Sequence, residues 1–454
     1  MTKKWIIPLL LLVVFSLWGL VPVSIPEAKP DAPINSGDTA WMLAAAGLVL
    51  LMTPGLAFFY GGMVRYKNVV STILQSFVIM GIVSVLWVVV GFSLAFGESV
   101  GGIIGNPLTF LMFDKVGLAT DANLAPTIPL MLFALFQLKF AIITPALITG
   151  GFAERIRFSA FVLFICLFSL FIYAPLAHWT WHPEGFLRKW GVLDFAGGTV
   201  VHISAGFAAL AGALVLGKRK ENGSHVPYNI PFILLGTGLL WFGWFGFNAG
   251  SALAANELAS SAFLNTNTAS AAAMLAWIFF DGATGRKPSA MGACIGAVVG
   301  LVAITPAAGF VNVGQSLFIG TIAAIISNLA VRIKTKTSLD DTLDVFPCHG
   351  IGGIVGMIAT GIFAKDVGLF YGETKTFLYH LLALVIVSVF TFGGAWLLYK
   401  LTDLIIPMRV KPELENKGLD LSQHSEQADN LVQMVEKIAQ AKANGAFYEE
   451  EINV

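Results

Sequence analysis

Charge is what this sequence has least of. Lys, Arg, Asp and Glu make up 12% of its 454 residues and cancel to a formal net charge of zero, where a soluble domain carries about 25%. Too few polar side chains remain to cover a water-soluble fold, and there is no basic excess to attract nucleic acid. Cysteine is scarce as well. Cys166, Cys294 and Cys348 lie apart inside apolar stretches, which excludes a disulfide framework and a cysteine-based metal cluster. No nucleophile–base set, cofactor loop or metal-ligand spacing is present, so the sequence predicts neither an enzyme nor a cofactor. Alternating ten-residue strands are also missing, which removes an outer-membrane barrel.

What is abundant is apolar length. Hydrophobic residues make up 56% of the chain, and runs of roughly 20 residues, enough to cross a bilayer, recur along it. They fall near 39–63, 70–96, 127–151, 158–180, 195–217, 229–250, 259–281, 289–305, 313–332, 346–363 and 376–406. The expected fold is an all-α polytopic membrane protein with eleven transmembrane helices. Lys and Arg gather on alternate loops, at Arg65 and Lys67, Arg155 and Arg157, Lys218 to Lys220, Arg286 and Lys287, and Arg332 to Lys336. The positive-inside rule then places the C-terminus in the cytoplasm and the start of the first helix outside.

Both ends differ from the middle. Lys3 and Lys4 precede an apolar run from Trp5 to Val23. Residues 1–26 read as a signal peptide, and an uncleaved extra span fits the charge pattern equally well. Residues 27–407 form the membrane domain, and 408–454 a polar cytoplasmic tail in which 431–443 has the spacing of a short amphipathic helix.

Two segments echo each other. In LDFAGGTVVH, Asp194 precedes His202 by eight residues; in DTLDVFPCHG, Asp341 precedes His349 by eight. Each histidine opens into a glycine-rich helix start, and the two segments belong to the fifth and tenth spans. An odd number of spans per half forces opposite topologies, so the chain reads as two five-helix inverted repeats plus a last helix. Ionisable residues inside spans are costly and usually functional. His202 and His349, roughly one-third to halfway into matched helices, are therefore expected to line one shared pore. Asp194 has two readings: a direct cation ligand, or a helix-start anchor that accepts backbone N–H groups and complements the helix dipole. A set of aromatic and hydroxyl residues falls at external helix ends: Phe136 and Phe140 in FQLKFAIITP, Trp181 in HWTWHPEG, Phe247 and Ser251 in GWFGFNAGSA. Aromatic faces attract cations, and a hydroxyl accepts a hydrogen bond from one.

Longer motifs make the pattern specific. GGFAERIRFSAF, LDFAGGTVVHISAG, LLWFGWFGFNAGSALAANE, NTNTASAAAMLAW, KPSAMGACIGAVVGLVAITPAAGFV and DDTLDVFPCHGIGGIVG, in order over 39–425, resemble the Amt ammonium transporters of the Amt/Rh family. The resemblance implies a homotrimer in the plasma membrane, the inner membrane of a bacterial cell, with one pore per protomer. It assigns ammonium recruitment to Trp181, Phe140 and Ser251, a gate to Phe136, Phe140 and Phe247, the pore to His202 and His349, and a structural and electrostatic role to Asp194, with Asp341 as its repeat counterpart. A PII-type nitrogen regulator at the cytoplasmic face is the implied partner. The expected function is an ammonium transporter that recruits NH4+, deprotonates it and conducts NH3, with an ammonium sensor and an electroneutral Rh-like channel as alternatives. Two positions depart from the family pattern. Lys139 stands beside a gate phenylalanine, where it either repels ammonium or snorkels to the outer interface. Ser425 stands in the tail where the family usually has Gly.

Overall fold

A computed structural model describes residues 3–28, 33–220 and 226–428. Among the described residues, nine helical stretches are long and apolar enough to cross a membrane: Ser36–Met63, Tyr66–Phe96, Leu130–Phe152, Phe158–Trp190, Gly198–Leu216, Ile230–Gly250, Val313–Lys334, Phe346–Phe363 and Lys375–Ile405. Glu257–Ala283 and Ala290–Ile304 complete the expected eleven. The first of these two is richer in amides and hydroxyls, and the fold satisfies several of them internally. Asn265 donates to the Ala308 and Val311 carbonyls, and Asn248 donates to Thr266.

Five helix starts are written in short polar residues. Asn35, Asn229, Asn256, Ser289 and Asn312 each accept a backbone N–H from three residues on, a cap worth about 1 kcal/mol. The two helices that carry the paired histidines start differently. No side chain at the cap position serves them, and each opens in a π-helical turn, Gly198–Ile203 and Phe346–Ile351. They cross at the glycines of HISAG and HGIGG. A Cβ added to Gly206 would lie 2.3 Å from the Gly350 Cα, so only a hydrogen at this position allows the backbones to meet.

The ends are placed as follows. Lys3–Trp18 is helical and exposes Leu9, Val14 and Leu17. Beyond it, Leu118 and Ala119 donate backbone N–H bonds to the Pro26 carbonyl, and Ser24 donates to Asp114. On the opposite face the tail lies along the loops. Arg409 grips Glu415, and Asp420 accepts the N–H groups of Val70 and Ser71 at a helix start. The amphipathic segment expected at 431–443 lies outside the described residues.

Candidate functional site

A cavity of about 210 Å³ opens at one end of the helix bundle, and Phe140, Trp181, Asp194 and Ser251 all line it. The Trp181 Nε1–H donates to the Asp194 carbonyl at 3.1 Å, which fixes the indole. The Ser251 hydroxyl donates to the Phe247 carbonyl at 2.8 Å, which leaves its lone pairs to accept from another donor. Gln137 lines the same cavity, and its buried side-chain oxygen has no hydrogen-bond partner among the described residues. Sequence reasoning passed over Gln137, although a lone amide in the apolar run LFQLKF is itself a signal.

Beneath the cavity the rings form a continuous column. Trp181 meets Phe140 edge-on at 5.6 Å, and Phe140 stacks on Phe247 at 4.2 Å. Phe247 lies 6.1 Å from His202, whose centroid is 5.4 Å from His349. Phe136, assigned to the gate by the resemblance, lies beside this column with its ring centroid 4.9 Å from that of Phe140. It meets Phe140 edge-on at 66° and packs against Gly250, where a Cβ would lie 2.8 Å from its ring. The stack proper is therefore Phe140 on Phe247. Trp244, which the sequence did not single out, lies parallel to His202 at 5.3 Å and is held by a bond from Nε1 to the Thr305 hydroxyl.

His202 sits nearer its helix start than the apolar run suggested, because that helix begins at Gly198; the His349 helix begins at Phe346, where the run was expected to start, with His349 in its first turn. The Nδ1 atoms of the two histidines face each other at 3.4 Å. One must donate and the other accept, so the accepting ring carries its proton on Nε2 if it is neutral. His202 Nε2 is buried and has no partner among the described residues. The pair thus offers a polar edge inside an otherwise apolar column.

Asp194 spends its carboxylate on the chain. It accepts the N–H groups of Gly197, Gly198 and Thr199 at 2.6 to 2.8 Å and also the Thr199 hydroxyl. Gly197 makes this possible with φ +122°, a conformation that L side chains rarely adopt. Of the two readings of Asp194, this geometry is that of an anchor. Asp341 repeats it at the other histidine helix, accepting from Val345 at 3.2 Å and Phe346 at 2.8 Å. Burial pushes its carboxyl up to about 6, against the pull of Lys334.

The far end of the column is tighter and more charged. Tyr60, Leu343, Cys348 and His349 line a cavity of only about 10 Å³. Around it Arg219 bridges Glu154 and Asp340, Lys334 pairs with Asp344, and buried Arg155 donates to the Asp340 carbonyl. Burial alone would raise Asp340, but bonds from Arg219 and the charge of Arg155 hold it at about 2. Lys139 lines neither cavity. It continues the stripe of Met131 and Leu135 at four-residue spacing, and is largely buried where snorkelling predicted exposure at the outer interface.

Comparison with known proteins agrees with this architecture. The model of the Ammonium Transporter Family matches residues 40–429. An ammonium transporter from Bacillus subtilis is 47% identical over 406 residues, covering 87% of this chain and 99% of its own. The crystal structure of Saccharomyces cerevisiae Mep2 superimposes with a TM-score of 0.79 at 34% identity, over 84% of this chain and 88% of that one. A structure described as Sensor Amt Protein gives 0.77 at 31% identity, over 86% and 98%. Matched along most of its length by the family model and by relatives close to half identical, this multi-pass membrane protein belongs to the ammonium transporter family.

Proposed function

We propose that the chain moves ammonium across the plasma membrane through the ring column. The observation that carries this is the unbroken sequence Trp181, Phe140, Phe247, His202, His349, leading from a polar cavity to a tight, charged far end. In the cavity, the faces of Trp181 and Phe140 and the Ser251 oxygen take the place of water around NH4+. A desolvated cation on an aromatic face gains up to about 2 kcal/mol. Below Phe140 and Phe247 no such compensation exists, and a dry path disfavours the ion strongly. NH4+ gives up its proton above the stack, and NH3 passes between the rings to hydrogen-bond with His202 and His349. Asp194 anchors the helix start, and its charge favours a cation in the cavity beside it; Asp341 does the corresponding work at the far end.

The remaining parts of the reading follow the family. The protein assembles as a homotrimer, the Trp181 side faces outward, and residues 408–454 are a cytoplasmic tail. Residues 1–26 serve as a signal peptide. The tail and the charged loops beneath it form the docking face for a PII-type regulator. A sensing role is the second reading, and the similarity to Sensor Amt Protein favours it. Deleting 412–454 separates the two: full growth on limiting ammonium with loss of downstream regulation identifies a sensor.

The direct test is an ammonium pulse on proteoliposomes bound to a solid-supported membrane. A transient current above that of empty liposomes is expected if a proton crosses with each NH3, a task for which imidazoles are suited. Ammonia flux without current would establish the electroneutral version. Neither current nor flux would overturn transport.

A further inference from the structure

Residues 192–197 are an irregular segment between Gly191 and the first turn of the His202 helix. Val192, Leu193, Asp194 and Phe195 all line the external cavity, so the shape of the recruitment site depends on a stretch with no regular backbone pairing. Such a stretch needs anchors. Phe195 donates its N–H to the Pro306 carbonyl at 3.1 Å. The Asp194 carbonyl receives the Trp181 indole. The Leu193 N–H goes to a residue nearly two hundred positions away, the fully buried His380 of the Lys375–Ile405 helix, at 2.9 Å from Nε2.

The other nitrogen of His380 fixes its chemical state. Nδ1 lies 2.9 Å from the Met357 carbonyl, and a carbonyl can only accept. Nδ1 therefore carries the proton, and Nε2 presents the lone pair that Leu193 requires. A neutral imidazole in this one tautomer is the group that satisfies both neighbours. Met357 belongs to the Phe346–Phe363 helix, two turns beyond His349. His380 thus ties the wall of the external cavity to the helix of the inner pore histidine.

We propose that His380 is a positioning residue for ammonium recruitment: by holding the Leu193 N–H it sets the place of the Asp194 carbonyl, and through that carbonyl the orientation of Trp181. The inference rests on the recruitment reading of Trp181 given above. It predicts an effect on capture of the cation from outside, not on passage through the histidine pair.

The test measures initial ammonium uptake by full-length protein in proteoliposomes over a concentration series, with His380→Leu, His380→Gln and Trp181→Leu. His380→Leu should raise KM about tenfold, as the loss of one buried hydrogen bond would, with maximal flux nearly unchanged. His380→Gln, whose amide oxygen can accept from Leu193, should bring KM back towards the parent value. Combined with Trp181→Leu, His380→Leu should raise KM no further than Trp181→Leu alone, because both act through one site. An unchanged KM in His380→Leu, a fall in flux at unchanged KM, or a double variant with multiplied effects would overturn the proposal. If His380→Leu does not assemble, Leu193→Pro deletes the same N–H with the imidazole intact. The same rise in KM is expected there, and no rise overturns the idea. Trp181→Leu with an unchanged KM would overturn the recruitment reading and this inference together. A raised KM in Trp181→Leu beside an unchanged one in His380→Leu would overturn the positioning role alone.

Discussion

The two mouths of the column solve one problem by different means. Each histidine helix starts without a cap of the usual kind, and each borrows an aspartate from upstream. At the wide mouth Asp194 takes three backbone N–H groups and a hydroxyl, all from neutral donors within five residues. At the far mouth Asp341 takes two, one of them long, and the surrounding loops are held by Arg219, Arg155 and Lys334 on Glu154, Asp340 and Asp344. The wide mouth is hydrogen-bonded and the narrow one is ion-paired. On the recruitment reading proposed above, the Asp194 carboxylate offsets the positive potential that a basic side chain at the cavity wall sets against a cation. Among the described residues, Arg188 is the one basic side chain lining the wide cavity.

The strongest way to break this comparison is at the point where the halves meet. His202→Ala and His349→Ala should each abolish ammonium-selective transport while the protein still assembles, since each removes one side of the 3.4 Å contact. Flux assays with ammonium and K+ read this directly. Normal ammonium transport with K+ still excluded in both variants would remove the histidines from the pore.

The next effect compares the aspartates. Asp194→Asn replaces an acceptor oxygen by a donor that faces buried N–H groups, which costs about 1–3 kcal/mol for each group left unpaired. Asp341→Asn should cost less, because fewer donors converge on it and burial already favours its neutral form. Thermal unfolding of the two purified variants ranks them. Equal losses would mean that the two anchors are equivalent.

The smallest effect is acid sensitivity of the ion-paired mouth. The folded protein holds Asp340 at about 2, below its ordinary 3.8. Its contribution is present above pH 4 and is lost as pH falls towards 2, a matter of about 2 kcal/mol. Asp340→Asn should flatten that acid limb of the stability curve. A limb unchanged by the substitution would place the acid-sensitive group elsewhere.

Much of this is legible in the sequence. Span order, the Asp–His echo and the external aromatics follow from composition and spacing, because a bilayer leaves few ways to satisfy a backbone and makes every polar residue inside it conspicuous. What stayed hidden depends on distance in the chain. His380 reads as an isolated imidazole in an apolar helix until Leu193 is seen beside it. Phe136 and Phe140 share the gate assignment, and packing alone decides which ring lies flat on Phe247: Phe140 stacks there, while Phe136 is seated against Gly250. Lys139 invited an electrostatic role by its neighbours in sequence, yet a helix turns adjacent residues to different faces.

The π turns at Gly198–Ile203 and Phe346–Ile351 have a consequence for how this pore can change. Each widened coil holds one residue more than an α-helical path would, and one residue corresponds to about 100° of rotation. The direction of each imidazole is therefore encoded in a length as well as in a letter. Apolar neighbours such as Val200 or Val201 can exchange for others of similar volume and leave the pore lined. Removing either one would relax the coil and swing the histidine off the column, with every other side chain still in place.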